Sequence, residues 1–195
     1  DMTRWGHMVQ PYVDSLLQEV EAAGKLLREH SIPLGSIYIG GGTPTTLNEQ
    51  QLEALLTAVD THFDRSVCRE YTVAAGRPAT ITEEKLRIMA AHKVSRISIN
   101  PQTMNHKVLE GVGRRHTAED IVRCYEMARK VSDFMINMDL IAGLPGDNDE
   151  SLIDSVRRVA ALDPDNITIH CLARKRGARL YFGPTGVLPS ETLDA

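Results

Sequence analysis

A chain of 195 residues, 42% apolar and 25% charged, has the size and composition of one globular domain or a large part of one. Its net charge of -4 offers no basic face for nucleic acid and no polybasic run for a membrane, and no apolar run approaches the roughly 18 residues that would span a bilayer. Three widely spaced cysteines, Cys68, Cys124 and Cys171, are odd in number and suit a reducing compartment, so a cytoplasmic protein without a disulfide framework is expected.

The first residues, Asp1-Met2-Thr3-Arg4-Trp5-Gly6, read as neither a signal peptide nor a targeting helix. Val13, Leu16, Leu17, Val20, Ala23 and Leu27 recur at three- and four-residue spacing and predict a helix over 9–29, with Gly24 weakening it and 31–35 ending it. Residues 36–39 form a short strand that runs into Gly40-Gly41-Gly42. Asn48 caps a second helix with Leu52, Leu55, Leu56 and Val59 on one face. A strand over 70–75 follows, then a helix capped by Thr82 with Leu86, Met89 and Ala90 inward. The next strand is 96–100, and a short helix covers 105–111. Thr117 and Asp120 resemble a capping box opening a helix whose buried stripe is Ile121, Tyr125, Ala128 and Val131. A strand over 135–141, a helix over 150–162 and a strand over 166–172 complete the series.

Five strands with a helix in each connection predict an α/β fold with a mostly parallel sheet and helices outside it. Right-handed crossovers wind such a chain into a doubly wound sheet or a barrel. The unusual residues fall after the C-terminal ends of successive strands: 40–43, 74–78, 100–103, 139–143 and 171–174. That distribution favours a barrel, whose rim carries its site, over an open sheet with a single switch-point crevice. Residues 1–182 are expected to form this domain, and 183–195 an exit loop.

Gly41 and Gly42, followed by Thr43 and Pro44, let backbone groups approach a ligand without a Cβ in the way; the alternative is a tight strand-to-helix turn. The spacing fits neither nucleotide fingerprint. Asp139 lies at the end of an apolar strand, where a carboxylate either holds a polar ligand or ties down a loop. Gln102 offers an amide suited to ribose hydroxyls, or simply to nearby backbone. Arg114 can clamp a carboxylate with two parallel hydrogen bonds, or be a solvated charge beside Arg115 and His116. The basic run Arg174-Lys175-Arg176, with Arg179 beyond, could receive several carboxylates or remain a solvated loop. No histidine or cysteine spacing marks a zinc site, and Cys124 and Cys171 read as small core residues.

Taken together, 36–45, 70–73, 96–102, 113–116 and 137–145 resemble, in order, the motifs of the radical-SAM oxygen-independent coproporphyrinogen III oxidase family. The Gly76-Arg77-Pro78 and Asn100-Pro101-Gln102 forms are similar to the coproporphyrinogen dehydrogenase branch of clostridia and bacilli. The likeness covers about 12–180. It implies a partial (βα)6-type barrel that binds S-adenosylmethionine (SAM). Gly41, Gly42 and Thr43 would take the methionine amino group, and Arg114 its carboxylate. Gln102 and Asp139 would hold the ribose and nearby polar atoms, and Ala173 would pack near adenine. In the family a 4Fe–4S cluster cleaves SAM reductively to a 5′-deoxyadenosyl radical, and propionates of coproporphyrinogen III become vinyls by oxidative decarboxylation in haem biosynthesis. The partners implied are a tetrapyrrole substrate, met by Arg174, Lys175 and Arg176, and an electron donor.

Two departures stand out. The family's Cys-x-x-x-Cys-x-x-Cys loop after the first barrel strand has no counterpart here, and cysteines as scattered as Cys68, Cys124 and Cys171 cannot replace it. The chain is therefore expected to be an inactive part of a longer enzyme, lacking the first strand, with 36–39 as a free edge prone to self-association. Second, a strand that usually ends Val-Glu-Ala reads Val73-Ala74-Ala75, so a ligand-facing carboxylate is replaced by Ala74. The alternatives are a non-catalytic SAM- or haem-handling module, or a radical-SAM enzyme with another substrate.

Overall fold

The computed structural model describes residues 6–173. The expected exit loop at 183–195 and the basic run Arg174-Lys175-Arg176 lie outside the described residues. Helices and strands alternate, except that two helices lie between the third and fourth strands. They are α1 (Val9–Glu29), β1 (Ser36–Ile39), α2 (Glu49–His62), β2 (Glu70–Gly76), α3 (Glu83–Ala91), β3 (Arg96–Gln102), α4 (His106–Gly111), α5 (Ala118–Val131), β4 (Met135–Ala142), α6 (Asp149–Ala160) and β5 (Asn166–Cys171). The strands follow one another across one sheet in chain order, β1-β2-β3-β4-β5. Both β1–β2 and β4–β5 are parallel, with Ile39 opposite Val73 and Asp139 opposite Thr168. Parallel neighbours require a crossover, and the helices supply it. Among the described residues no helix is long and apolar enough to cross a membrane.

The chain divides into two compact units. Of the described residues, the first holds 6–76, 80–97 and 128–134; the second holds 77–79, 98–127 and 135–173. In the first, Leu52, Leu55, Leu56 and Val59 of α2, Tyr71 and Val73 of β2, and Leu86 and Met89 of α3 are buried. Each such side chain contributes about 1.5–3 kcal/mol relative to exposure. The caps are those the sequence predicts. The Asn48 side chain accepts from Gln51 N–H while the Gln51 side chain accepts from Asn48 N–H, and Thr82 accepts from Lys85 N–H. His92, at the end of α3, bonds Asp60 at 2.6 Å and Glu53 at 2.9 Å. Burial opposes its charged form, but its hydrogen bonds to both carboxylates, and their charge, outweigh burial and raise its pKa.

Gly24 does something other than weaken α1. A Cβ there would lie 2.4 Å from the His62 carbonyl oxygen, so the glycine lets α1 meet the end of α2 at backbone distance. The same carbonyl accepts from Arg28.

In the second unit, Ile99, Met104, Leu109, Ile121, Ile136, Met138, Leu140 and Val159 are buried. Thr117 and Asp120 exchange hydrogen bonds as a capping box at the start of α5. Three expectations need correction. The strand predicted over 96–100 continues through Pro101 to Gln102. Val131 is only half-buried, because it is the last residue of α5. Cys171 is exposed, unlike buried Cys124, because β5 is an outer strand of the sheet and most of its side chains are open to solvent.

The strand β1 is the other outer strand, and Tyr38 on it is 69% exposed. Its outward N–H and C=O groups form a template for another strand. The chain should self-associate at micromolar concentration through this edge, and Tyr38→Lys should shift it towards monomer in analytical ultracentrifugation. An unaltered sedimentation profile in the variant would contradict this.

Candidate ligand site at the strand ends

In the first unit the chain leaves β1 through Gly40, Gly41 and Gly42. Gly41 has φ +99°, a backbone region L side chains rarely adopt. No atom lies within 4 Å of where a Cβ would stand at Gly41 or Gly42, so this turn is open rather than packed against the fold. Thr43 precedes a short 3-10 turn, Pro44–Thr46, and its carbonyl accepts from Thr46 N–H at 2.9 Å. Across from it β2 ends at Gly76, φ +74°, where a Cβ would lie 2.8 Å from Thr43 Cγ2. Only glycine lets the two loops approach so closely. Ala74 shares the row of alternate residues that begins Glu70 and Thr72, and it offers no polar group.

The turn has an anchor that sequence patterns do not reveal. Lys85, 8% exposed, reaches from the first turn of α3 and donates to the Thr45 carbonyl at 2.7 Å and the Thr80 carbonyl at 3.2 Å. Buried Thr45 in turn donates to the Ala75 carbonyl at 2.5 Å and shares a 2.6 Å hydrogen bond with Thr80 Oγ1. One ammonium group and two hydroxyls thus tie the loop after β1 to the loop after β2. On sequence alone Lys85 is an unremarked helix-surface lysine.

In the second unit the strands carry an uncommon pattern. Ile99, then Ile136, Met138 and Leu140, are buried. The alternate positions are polar: Ser98, Asn100 and Gln102 on β3, Asn137 and Asp139 on β4, Asn166, Thr168 and His170 on β5. Side chains alternate with period two, and apolar rows align with apolar rows, so the polar rows share the opposite face. That face is not simply solvent: Ser98, Gln102 and Asn137 are at most 9% exposed. Asn137 Oδ1 accepts from Asn166 at 2.8 Å and Thr168 at 2.9 Å, and its amide donates to Asp139 Oδ1 at 2.5 Å. His170 Nε2 lies 3.9 Å from the same carboxylate oxygen. Asp139 is therefore held from one side by an amide that is itself fixed by β5.

Gln102 ends this row with φ +70°. A buried, non-glycine residue in the left-handed region costs about 1 kcal/mol or more, and such strain gathers at ligand sites. Asn100, two residues before it, has a side-chain oxygen that is buried without a hydrogen-bond partner. Arg114 follows Gly113, φ +72°, and is half-buried. Burial first and the neighbouring charge of Arg77 second lower its pKa. A partly desolvated guanidinium is stabilised by a nearby anion. The loop is fastened by His116, whose buried ring nitrogen bonds the Pro101 carbonyl at 3.3 Å; burial above all lowers its pKa, so the imidazole is neutral. Arg115 points elsewhere, lining a cleft with Pro78, Ala79, Asp120 and Cys124. Ala173 lies just past β5, exposed, after Leu172 N–H donates to the Ala142 carbonyl at 2.9 Å.

The comparisons with known proteins now bear on this geometry. A profile of the Radical SAM superfamily matches residues 4–159. The chain belongs to that superfamily. It is 38% identical to the "oxygen-independent coproporphyrinogen-III oxidase-like protein HemZ" of Bacillus subtilis, over 88% of this chain and 34% of the relative. It is 34% identical to the "heme chaperone HemW" of Lactococcus lactis, over 86% of this chain and 42% of the relative. The solved coproporphyrinogen III oxidase HemN of Escherichia coli superposes with a TM-score of 0.78 at 29% identity, over 87% of this chain and 38% of that one. The chain thus spans about a third to two fifths of the length of these relatives.

SAM and a 4Fe–4S cluster are the cofactors of this superfamily. Within the second unit, the strained Gln102 amide, the Asn100 oxygen without a partner among the described residues and the half-buried Arg114 fit a polar nucleoside ligand. The described residues do not fit the cluster: Cys68 precedes β2, Cys124 is buried in α5 and Cys171 ends β5, and no group of three His, Cys, Asp or Glu side chains converges.

Replacing Gln102 separates strain from recognition. Gln102→Gly should raise stability by about 1 kcal/mol, or roughly 2–4 °C in Tm, because glycine adopts φ +70° freely. Gln102→Ala, which keeps the strain, should not. Both should weaken SAM. A lower Tm for the glycine variant in differential scanning calorimetry would refute the strain.

Proposed function

We propose that this chain is the SAM-binding core of an oxygen-independent coproporphyrinogen III dehydrogenase, an enzyme converting propionate side chains of a tetrapyrrole to vinyl groups. The observation that carries the reading is the polar row of β3 and β4, in which Ser98, Gln102 and Asn137 are buried where a sheet interior is ordinarily apolar, with Gln102 left-handed at its end. A fold bears such a surface at a cost unless a polar ligand meets it. SAM offers complementary groups in number: an ammonium, a carboxylate, a ribose diol and an adenine.

The chain's own residues would divide the work. Gly41 and Gly42 present backbone atoms, and Thr43 a hydroxyl, to the methionine ammonium. Arg114 takes the methionine carboxylate. Gln102 and Asp139 take ribose hydroxyls, with Asn137 fixing the carboxylate of Asp139 by a 2.5 Å hydrogen bond. Ala173 leaves room beside adenine. When bound together, SAM and the cluster supply the radical that removes hydrogen from substrate. The protein's contribution is to bind and orient. The substrate class rests on similarity to the coproporphyrinogen oxidases and HemZ.

SAM titrated calorimetrically into the chain should bind weakly. Hydrogen bonds to charged groups are worth about 1.5–3 kcal/mol each, so a site without a cluster and with Ala74 in place of a carboxylate should be a hundredfold or more poorer than an intact relative. Asp139→Ala should cost about a further tenfold. Binding that this change leaves untouched would place the pocket elsewhere.

Similarity to haem chaperones supports a second reading, in which the tetrapyrrole is carried rather than converted. Haemin added to the chain distinguishes them. The first reading expects no Soret shift at micromolar haemin, and a saturable shift would favour the second.

A further inference from the structure

Asn100 lies on β3, on the same row as Ser98 and Gln102, and its Oδ1 is buried with no hydrogen-bond partner. A polar atom in this position costs stability, and folded proteins keep few of them. The surroundings make the vacancy informative. On the neighbouring strand Asn137 uses its oxygen twice and its amide once, against Asn166, Thr168 and Asp139. Among the described residues the fold thus satisfies the carboxamide of Asn137 and leaves the side-chain oxygen of Asn100 without a partner. Two residues further on stands Gln102, also buried and conformationally strained. At about 3.3 Å per residue, Asn100 sits some 7 Å back along the strand from the rim.

We infer that Asn100 is a specificity residue, whose side-chain oxygen accepts a hydrogen bond from an N–H or O–H donor on a bound small molecule. The inference rests on the reading of this face as the ligand site. Two donors share the required chemistry: the hydroxyl or ammonium groups of SAM, and a pyrrole N–H of a tetrapyrrole.

The test compares Asn100→Leu, similar in volume but unable to accept, Asn100→Ala, which avoids crowding, and Asn100→Asp, which keeps an acceptor oxygen. Tm is measured without ligand. SAM is titrated by calorimetry and coproporphyrin III by fluorescence quenching. Without ligand, the leucine or alanine variant should melt no lower than the parent chain, because an unsatisfied group has been removed. Affinity for one of the two probes should fall about fivefold or more in both, with the aspartate variant closer to the parent. Which probe is weakened identifies the donor. If both apolar variants melt lower than the parent, Asn100 has a structural partner and the inference is overturned. It is equally overturned if the parent binds either probe and the apolar variants bind it as well. If the parent binds neither probe while the apolar variants melt no lower, the reading of the face as a SAM site fails and the choice of donor fails with it.

Discussion

The polar row that β4 and β5 share in the second unit depends on one amide. Asn137 is buried, and a buried carboxamide is tolerable only when its donor and acceptor are both used. Its oxygen is taken by Asn166 and Thr168, which fixes the amide towards Asp139. The register of β4 against β5 puts Asn166 opposite Asn137 and Thr168 opposite Asp139. A one-residue slip would turn this row to the opposite side of the sheet and bring Met138 and Leu140 to the polar face. Register and charge placement are thus a single constraint.

The first unit solves a related problem with a different device. An open glycine turn has little conformational preference of its own. Here Lys85 and Thr45 hold the carbonyls that flank it. The ammonium is at home because main-chain oxygens surround it. The unit therefore keeps its turn open and still ordered, as a ligand site requires.

Much of the architecture was legible because local rules governed it. The caps at Asn48, Thr82 and Thr117, and the apolar periodicity between them, placed every helix and strand to within two residues. Gly41 and Gly42 were legible as a turn after a strand, but Gln102 and Asp139, expected beyond strand ends, lie within β3 and β4, and Arg114 follows α4. The features that escaped are all tertiary. Nothing near Lys85 in sequence announces that the Thr45 carbonyl, forty residues earlier, will cover it. The exposure of Cys171 follows from β5 being an outer strand, not from its own apolar neighbours. The left-handed backbone of Gln102 contradicts its residue type, so no local propensity announces it.

Gly24 has a consequence for how this protein can change over time. Its missing side chain lets two helix backbones come within reach of the His62 carbonyl, and the smallest replacement, alanine, would collide with that oxygen. The exposed positions of α1, such as Tyr12 and Leu26, can drift without disturbing this contact. Position 24 cannot drift unless the helices part. In divergent descendants it should persist as a fixed landmark within a variable helix, anchoring alignments where the surrounding similarity has faded.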